Sequence, residues 1–217
     1  MSKTARWTFI RHAPVIAKGL LYGASDVPAD CSDQAAFAAL AGNLPTDAVW
    51  LSSHLSRAQD TLKAIIRSGP AEALHGADAL HGADAFVIDR RFAEQDFGTW
   101  EGESYADLQH AQATAYQQFW QDPANATPPG GESFAAVVER VAAAMASWSQ
   151  QHLGRDLICV CHGGTIRAAL AVALDLSPSA ALRFVSDHLA RTELDYLAAD
   201  PTYEGGWRVR AVNLPVR

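Results

Sequence analysis

Several stretches of this chain are apolar without alternation, namely Trp7 to Ile10, Ala48 to Leu51 and Leu157 to Cys161. A strand with one wet face alternates apolar and polar residues. An unbroken run belongs to a strand covered on both sides, as in a parallel sheet with helices on each face. Between these runs the apolar spacing changes to three and four residues. Ser32 to Leu44 carries Phe37, Leu40 and Leu44, with Ser32 as the expected N-cap, and Ser56 to Ser68 carries Leu62, Ile65 and Ile66. A polar helical region is expected over Ser104 to Trp120. The longest helix is expected over Glu132 to Gln151, and others over Thr165 to Leu174 and Ser179 to Phe184. Phe86 to Ile88 reads as a short strand, while Arg191 to Leu197 and Trp207 to Leu214 read as two strands turning near Gly205-Gly206. The expected architecture is α/β: a three-layer α/β/α sandwich around a mostly parallel sheet. One domain is expected over 1–217, with a cap-like insertion over 92–131.

Composition narrows the function. Seventeen Lys and Arg against 24 Asp and Glu give a net charge of −7, the opposite of the basic footprint that nucleic acid requires. No apolar run approaches the roughly 18 to 20 residues of a membrane span, and Met1 to Arg11 lacks the apolar stretch of a secretory signal. The expectation is a cytoplasmic protein with no nucleic-acid or membrane partner. The three cysteines fit free thiols, with Cys159 and Cys161 on one side of a strand as core residues. Leu-His-Gly-Ala-Asp-Ala occurs at 74–79 and again at 80–85. Two six-residue copies cannot form a solenoid, so this reads as a lengthened loop rather than a metal site built from His75, Asp78, His81 and Asp84.

The chemistry sits where strands end. Ligands of such sheets bind beyond the carboxyl ends of the strands. There the chain places Arg11-His12, Ser52-Ser53-His54 leading to Arg57, and His162-Gly163. Two arginines, two histidines and a glycine-containing helix start form an anion pocket if those strands are neighbours, and phosphate suits guanidinium forks and free backbone N–H groups. Neutral imidazole is also a nucleophile near pH 7, able to carry a phosphoryl group.

Five blocks in order, Arg11-His12-Ala13, Ser52 to Ala58, Glu94 to Gly102, Gly130 to Ser133 and His162 to Arg167, resemble the histidine phosphatase superfamily, also called phosphoglycerate mutase-like. The resemblance implies His12 as nucleophile, Arg11 and Arg57 holding phosphoryl oxygens, and His162 neutralising transition-state charge. It further implies Gly163 as a backbone donor and Glu94 as the proton donor and acceptor. It implies no metal and no cofactor. Lys18 to Pro28 is similar to the α-ribazole phosphatase branch. The sequence departs from the family pattern at Ala13, where Gly is usual and a methyl group would narrow the phosphate cradle. It departs again at His54, where Pro is usual and where a solvent-facing side chain is expected. Glu101 and Arg167 are expected in structural salt bridges or at helix ends, and Glu132-Ser133 at a helix start. Trp100, Tyr105, Tyr116, Phe119 and Trp120 could stack on an organic leaving group.

The expected function is metal-independent hydrolysis of a small-molecule phosphomonoester through phospho-His12, with α-ribazole 5′-phosphate as the substrate implied by the branch resemblance. A phosphoglycerate mutase resembles longer chains with more capping segments. A non-catalytic phospho-ligand module would have lost His12 or Glu94. An esterase of the α/β-hydrolase kind would need a Gly-x-Ser-x-Gly elbow, which is missing. The sequence sets no oligomeric state.

Overall fold

In a computed structural model that describes residues 4–16, 19–69 and 86–216, the unbroken apolar runs are central strands. The 74–85 repeat, with His75, Asp78, His81 and Asp84, lies outside the described residues. Strands β1 (Thr4–Arg11), β2 (Ala48–Ser52), β3 (Val87–Ile88), β4 (Asp156–Cys161), β5 (Arg191–Leu197) and β6 (Gly206–Leu214) form one sheet in the order β3-β2-β4-β1-β5-β6. β1, β2, β3 and β4 run parallel; β5 is antiparallel to β1, and β6 to β5.

Helices cover both faces. Trp7, Phe9, Val49, Leu51, Leu157, Cys159 and Cys161 point to one side. There they meet Phe134, Val137, Val141 and Met145 of the helix Phe134–Gln151 and Ile166 and Leu170 of the helix Gly163–Leu174. Ile10, Trp50, Ile158 and Val160 point to the other side, against Phe37 and Leu40 of α1 (Gln34–Ala41) and Leu62 and Ile65 of α2 (Ser56–Ser68). The core thiols are where the alternation of strand side chains puts them. Phe92 lies edge-on to Trp7 and Phe9, which stack on each other with centroids 5.0 Å apart.

The helix expected over Ser179 to Phe184 spans only Pro178–Ala181, and the one expected from Glu132 starts at Phe134; three further helix boundaries differ from expectation, each for a local reason. α1 is capped by Asp33, whose carboxylate accepts from Ala36 N, and not by Ser32, whose own N–H is held by Asp30. The region expected as one helix over 104–120 is two, α3 (Tyr105–Ala111) and α4 (Ala113–Gln121), broken at Gln112, which accepts from the Trp100 indole. After α5 (Phe134–Gln151), α6 (Gly163–Leu174) begins two residues earlier than Thr165, so both glycines are helical; α7 (Pro178–Ala181) follows. Residues 97–126 build a small apolar cluster of Trp100, Leu108 and Phe119 with Leu21 over the carboxyl end of the sheet.

Among the described residues no helix is long and apolar enough to cross a membrane. Phe92 joins the main core to the segment leading to Glu94. Phe92→Ala should therefore cost about 3–5 kcal/mol in chemical denaturation, a loss typical of a buried phenyl deletion, and a cost under about 1 kcal/mol would show that this packing is dispensable.

Candidate functional site

Register brings the predicted residues together. Arg11 pairs with Cys161 across β1 and β4, so the next residues, His12 and His162, emerge side by side; the His12 N–H donates to Cys161 O at 2.9 Å. The two imidazole centroids are 5.1 Å apart. β2 flanks β4 on its other side, and Ser52 pairs with Val160, which sets Ser53 level with Cys161, one residue before His162.

The His12 ring is 2% exposed. Its Nδ1 lies 2.7 Å from Ala13 O, and because a carbonyl can only accept, Nδ1 carries the proton and Nε2 keeps the lone pair. Burial pushes the His12 pKa well below its ordinary 6.5, and Arg57 and Arg11 push the same way against the Ala13 hydrogen bond. The side chain is thus a neutral imidazole of fixed tautomer at neutral pH. His162 is fully buried, with Nε2 2.7 Å from Ser53 Oγ. Burial, then His12 and Arg57, hold its pKa well below 6.5 too.

Glu94 reaches the opposite side of this edge. Its Oε2 accepts from Gly164 N at 3.1 Å, in the first turn of α6, and its Oε1 from Gln95 N at 2.9 Å. A Cβ on Gly164 would overlap that carboxylate, which explains why the helix begins on glycines. Gly163 is flanked by two guanidinium groups: a Cβ there would lie 3.5 Å from Arg167 Nη1 and 3.6 Å from Arg11 Nε.

A cavity of about 480 Å³ opens over these groups. Arg11, His12, Glu94, Gly164 and Arg167 form its polar lining, and Leu21, Tyr22, Phe97, Tyr105, Phe119 and Trp120 belong to its apolar wall. Arg57, His162 and Gly163 are buried behind this lining rather than part of it. The Arg57 guanidinium donates to the carbonyls of Ser25 at 2.7 Å and of Gly23, so it fastens the 22–25 loop to α2. Three buried nitrogens near the two histidines nevertheless have no partner: Arg11 Nε, Arg57 Nε and His162 Nδ1. Unpartnered buried polar groups are costly, and these three stand among eight such atoms in the described residues.

Other expectations are corrected. The Ala13 methyl does not narrow the cavity, because its φ is not left-handed and the residue packs in the α1–α2 core while its N–H donates to Thr61 Oγ1 at 2.9 Å. Glu101 is the C-cap of the 3-10 turn Gly98–Trp100, the expected helix end, but among the described residues it makes no salt bridge; it accepts from the backbone N–H groups of Ala24, Ser25 and Phe97 and clamps the loop that Arg57 holds. Arg167 makes no salt bridge either; it donates to Phe184 O at 2.8 Å and faces the cavity. Glu132 pairs with Arg140 at 2.7 Å and Ser133 caps α5, as expected. His54 is half-buried and does not line the cavity. Trp100 is core, whereas Tyr105 and Trp120 are about half exposed along the cavity wall.

Three residues escaped the sequence. Ser53 holds His162, Thr61 ties Ala13 to Arg57 O, and His188 brings a third imidazole 5.2 Å from His12, its Nδ1 donating to His12 O at 2.8 Å. Ser53 could have been found from the β2 register, since it follows the strand as His162 follows β4. His188 carries no local signal, because it stands in a loop before an antiparallel strand.

Residues 7–214 match the model of the histidine phosphatase superfamily (branch 1). The chain belongs to this superfamily. A bifunctional protein of Mycobacterium tuberculosis is 31% identical over 166 residues, 76% of this chain and 40% of that protein. A glucosyl-3-phosphoglycerate phosphatase of Mycolicibacterium vanbaalenii is 31% identical over 134 residues, 58% of this chain and 53% of that one. The chain thus spans about two-fifths to half of these relatives. The α-ribazole phosphatase of Shigella flexneri shares the fold with a TM-score of 0.75 and 23% identity, over 98% of this chain and 99% of that structure.

The depressed histidines set a pH dependence for this superfamily member. The unfolded chain binds protons at His12 and His162 below about pH 6.5 while the folded chain does not, so stability is lost as pH falls below 6.5 toward the folded values. Urea unfolding should show a lower stability at about pH 5.5 than at 7.5, with a smaller drop in His162→Gln. An equal drop in the variant would contradict the neutral state of His162.

Proposed function

We propose that this chain is a metal-independent phosphatase of small organic phosphomonoesters, working through a phosphohistidine at His12 Nε2. The observation that carries this reading is the fixed tautomer of His12, a buried neutral imidazole with Nε2 free, beside three unpartnered buried nitrogens and a cavity-lining carboxylate. The phosphatases named among the relatives support it, as does the family itself.

In the first step, His12 Nε2 attacks phosphorus, the ester P–O bond breaks, and protonated Glu94 gives its proton to the leaving alkoxide. In the second, the Glu94 carboxylate takes a proton from water, whose oxygen attacks phospho-His12. The N–P bond breaks, releasing inorganic phosphate and restoring both groups. Arg11 holds the phosphoryl oxygens, the Arg57 charge lies behind it, and the His162 Nδ1–H donates to them as negative charge accumulates, with Nε2 held by Ser53 Oγ. Phosphoryl transfer depends mainly on such positioning and charge stabilisation. The wall of Tyr105, Phe119 and Trp120 receives the organic part, and α-ribazole 5′-phosphate, with its aromatic base, is the first substrate to test.

Purified protein should release phosphate in the presence of EDTA and, when quenched, carry one phosphoryl group on His12. His12→Ala should reduce turnover by at least about a thousandfold. Retention of full activity by that variant would overturn the mechanism. Glu94→Gln should slow hydrolysis of alkyl phosphates by roughly a hundred- to ten-thousandfold, and much less for p-nitrophenyl phosphate, whose leaving group needs no proton. Equal losses on both would remove Glu94 from the proton-donor role.

A further inference from the structure

Arg167 is a half-buried guanidinium with no carboxylate partner within ion-pair distance among the described residues. One nitrogen, Nε, is occupied by Phe184 O, and the side chain lines the cavity. It shares the flank of Gly163 with Arg11, so two like charges stand together at the cavity floor. Such an arrangement costs free energy unless an anion joins it.

Its place within the cavity is specific. The arginines whose charge bears on His12 are Arg57 and Arg11, and both also bear on His162. Arg167 feels burial first, which lowers its pKa, then Glu94, which opposes that, and then Arg11; Arg57 feels Glu94 as well. The Arg167 Nη1 lies against Gly163, next to Gly164, whose N–H holds the Glu94 carboxylate, so Arg167 stands near Glu94, where the leaving group must lie if Glu94 is to protonate it. When the ester enters, Glu94 must carry its proton, and the one carboxylate in the cavity lining no longer offsets Arg167.

Resting on the phosphatase reading, we infer that Arg167 is a specificity-determining residue that binds a second anionic group, carboxylate or phosphate, on the leaving-group portion of the substrate. A planar guanidinium that lines the cavity, with only its Nε taken, by Phe184 O, among the described residues, suits either group. Phosphomonoesters whose alcohol half is itself charged are then turned over ahead of those whose alcohol half is neutral, α-ribazole 5′-phosphate among the latter. A guanidinium that only props Phe184 predicts no such preference.

The test compares kcat/KM on two matched pairs: 3-phosphoglycerate against glycerol 3-phosphate, and 1,3-propanediol bisphosphate against its monophosphate. The wild-type chain should favour the doubly anionic member of at least one pair by about tenfold or more, and which pair identifies carboxylate or phosphate. Arg167→Met should erase most of that ratio through KM, and Arg167→Lys should restore part of it. Equal rates within both pairs in the wild type, or an unchanged ratio in Arg167→Met, would overturn the inference. Calorimetric binding of the same compounds to His12→Asn, which cannot turn over, reads the preference independently of catalysis. A chain that hydrolyses nothing but binds the doubly anionic member more tightly, and loses this in the Arg167→Met background, keeps the anion site while the phosphatase reading falls.

Discussion

The site depends on the parallel register of β1 and β4. Because Arg11 stands opposite Cys161, one hydrogen bond, from His12 N to Cys161 O, places two imidazoles at the same height on the carboxyl edge of the sheet. A slip of one residue would turn one of them to the opposite face. The register is secured by the core beneath, where Trp7 and Phe9 fill one face and Ile10 the other, so that neither strand can shift without exposing large apolar surface.

Around that pair, polar contacts run from one loop to the next. Ala13 N binds Thr61 in α2, Thr61 binds Arg57 O, the Arg57 guanidinium binds the 22–25 loop, and Glu101 clamps that loop from beyond. Glu94 closes the other side by seating its carboxylate on the first turn of α6. Each link joins segments far apart in the chain. The cavity is therefore shaped by backbone groups held from several directions, which is how a site keeps charged groups in place before a ligand arrives.

The glycines of α6 show how sequence and structure inform each other. Read along the chain, Gly163-Gly164 looks like a loop preceding a helix at Thr165. In the folded protein they are the first helical residues; a Cβ at Gly164 would displace Glu94, whereas one at Gly163 would meet two guanidiniums at ordinary contact distance. Gly163 and Arg167, four residues apart on a helix, necessarily share a face. That spacing was a legible sign that Arg167 faces the site, once the helix start is correctly placed.

Much of the architecture was determined by the sequence alone. Unbroken apolar runs require strands buried on both faces, and those runs end in Arg11-His12 and His162-Gly163, so a parallel sheet with a histidine-bearing edge follows from local pattern. Sequence order and blocks also singled out Glu94 and Arg57. What only the tertiary structure decided are the positions set by long-range proximity: Ser53 on His162, Thr61 on Ala13, His188 beside His12, Glu101 as a loop clamp and Arg167 in the cavity lining. Serine, threonine or arginine at such positions has no local periodicity to reveal it. Its partner is chosen by strand order and loop packing, which no window of neighbouring residues contains.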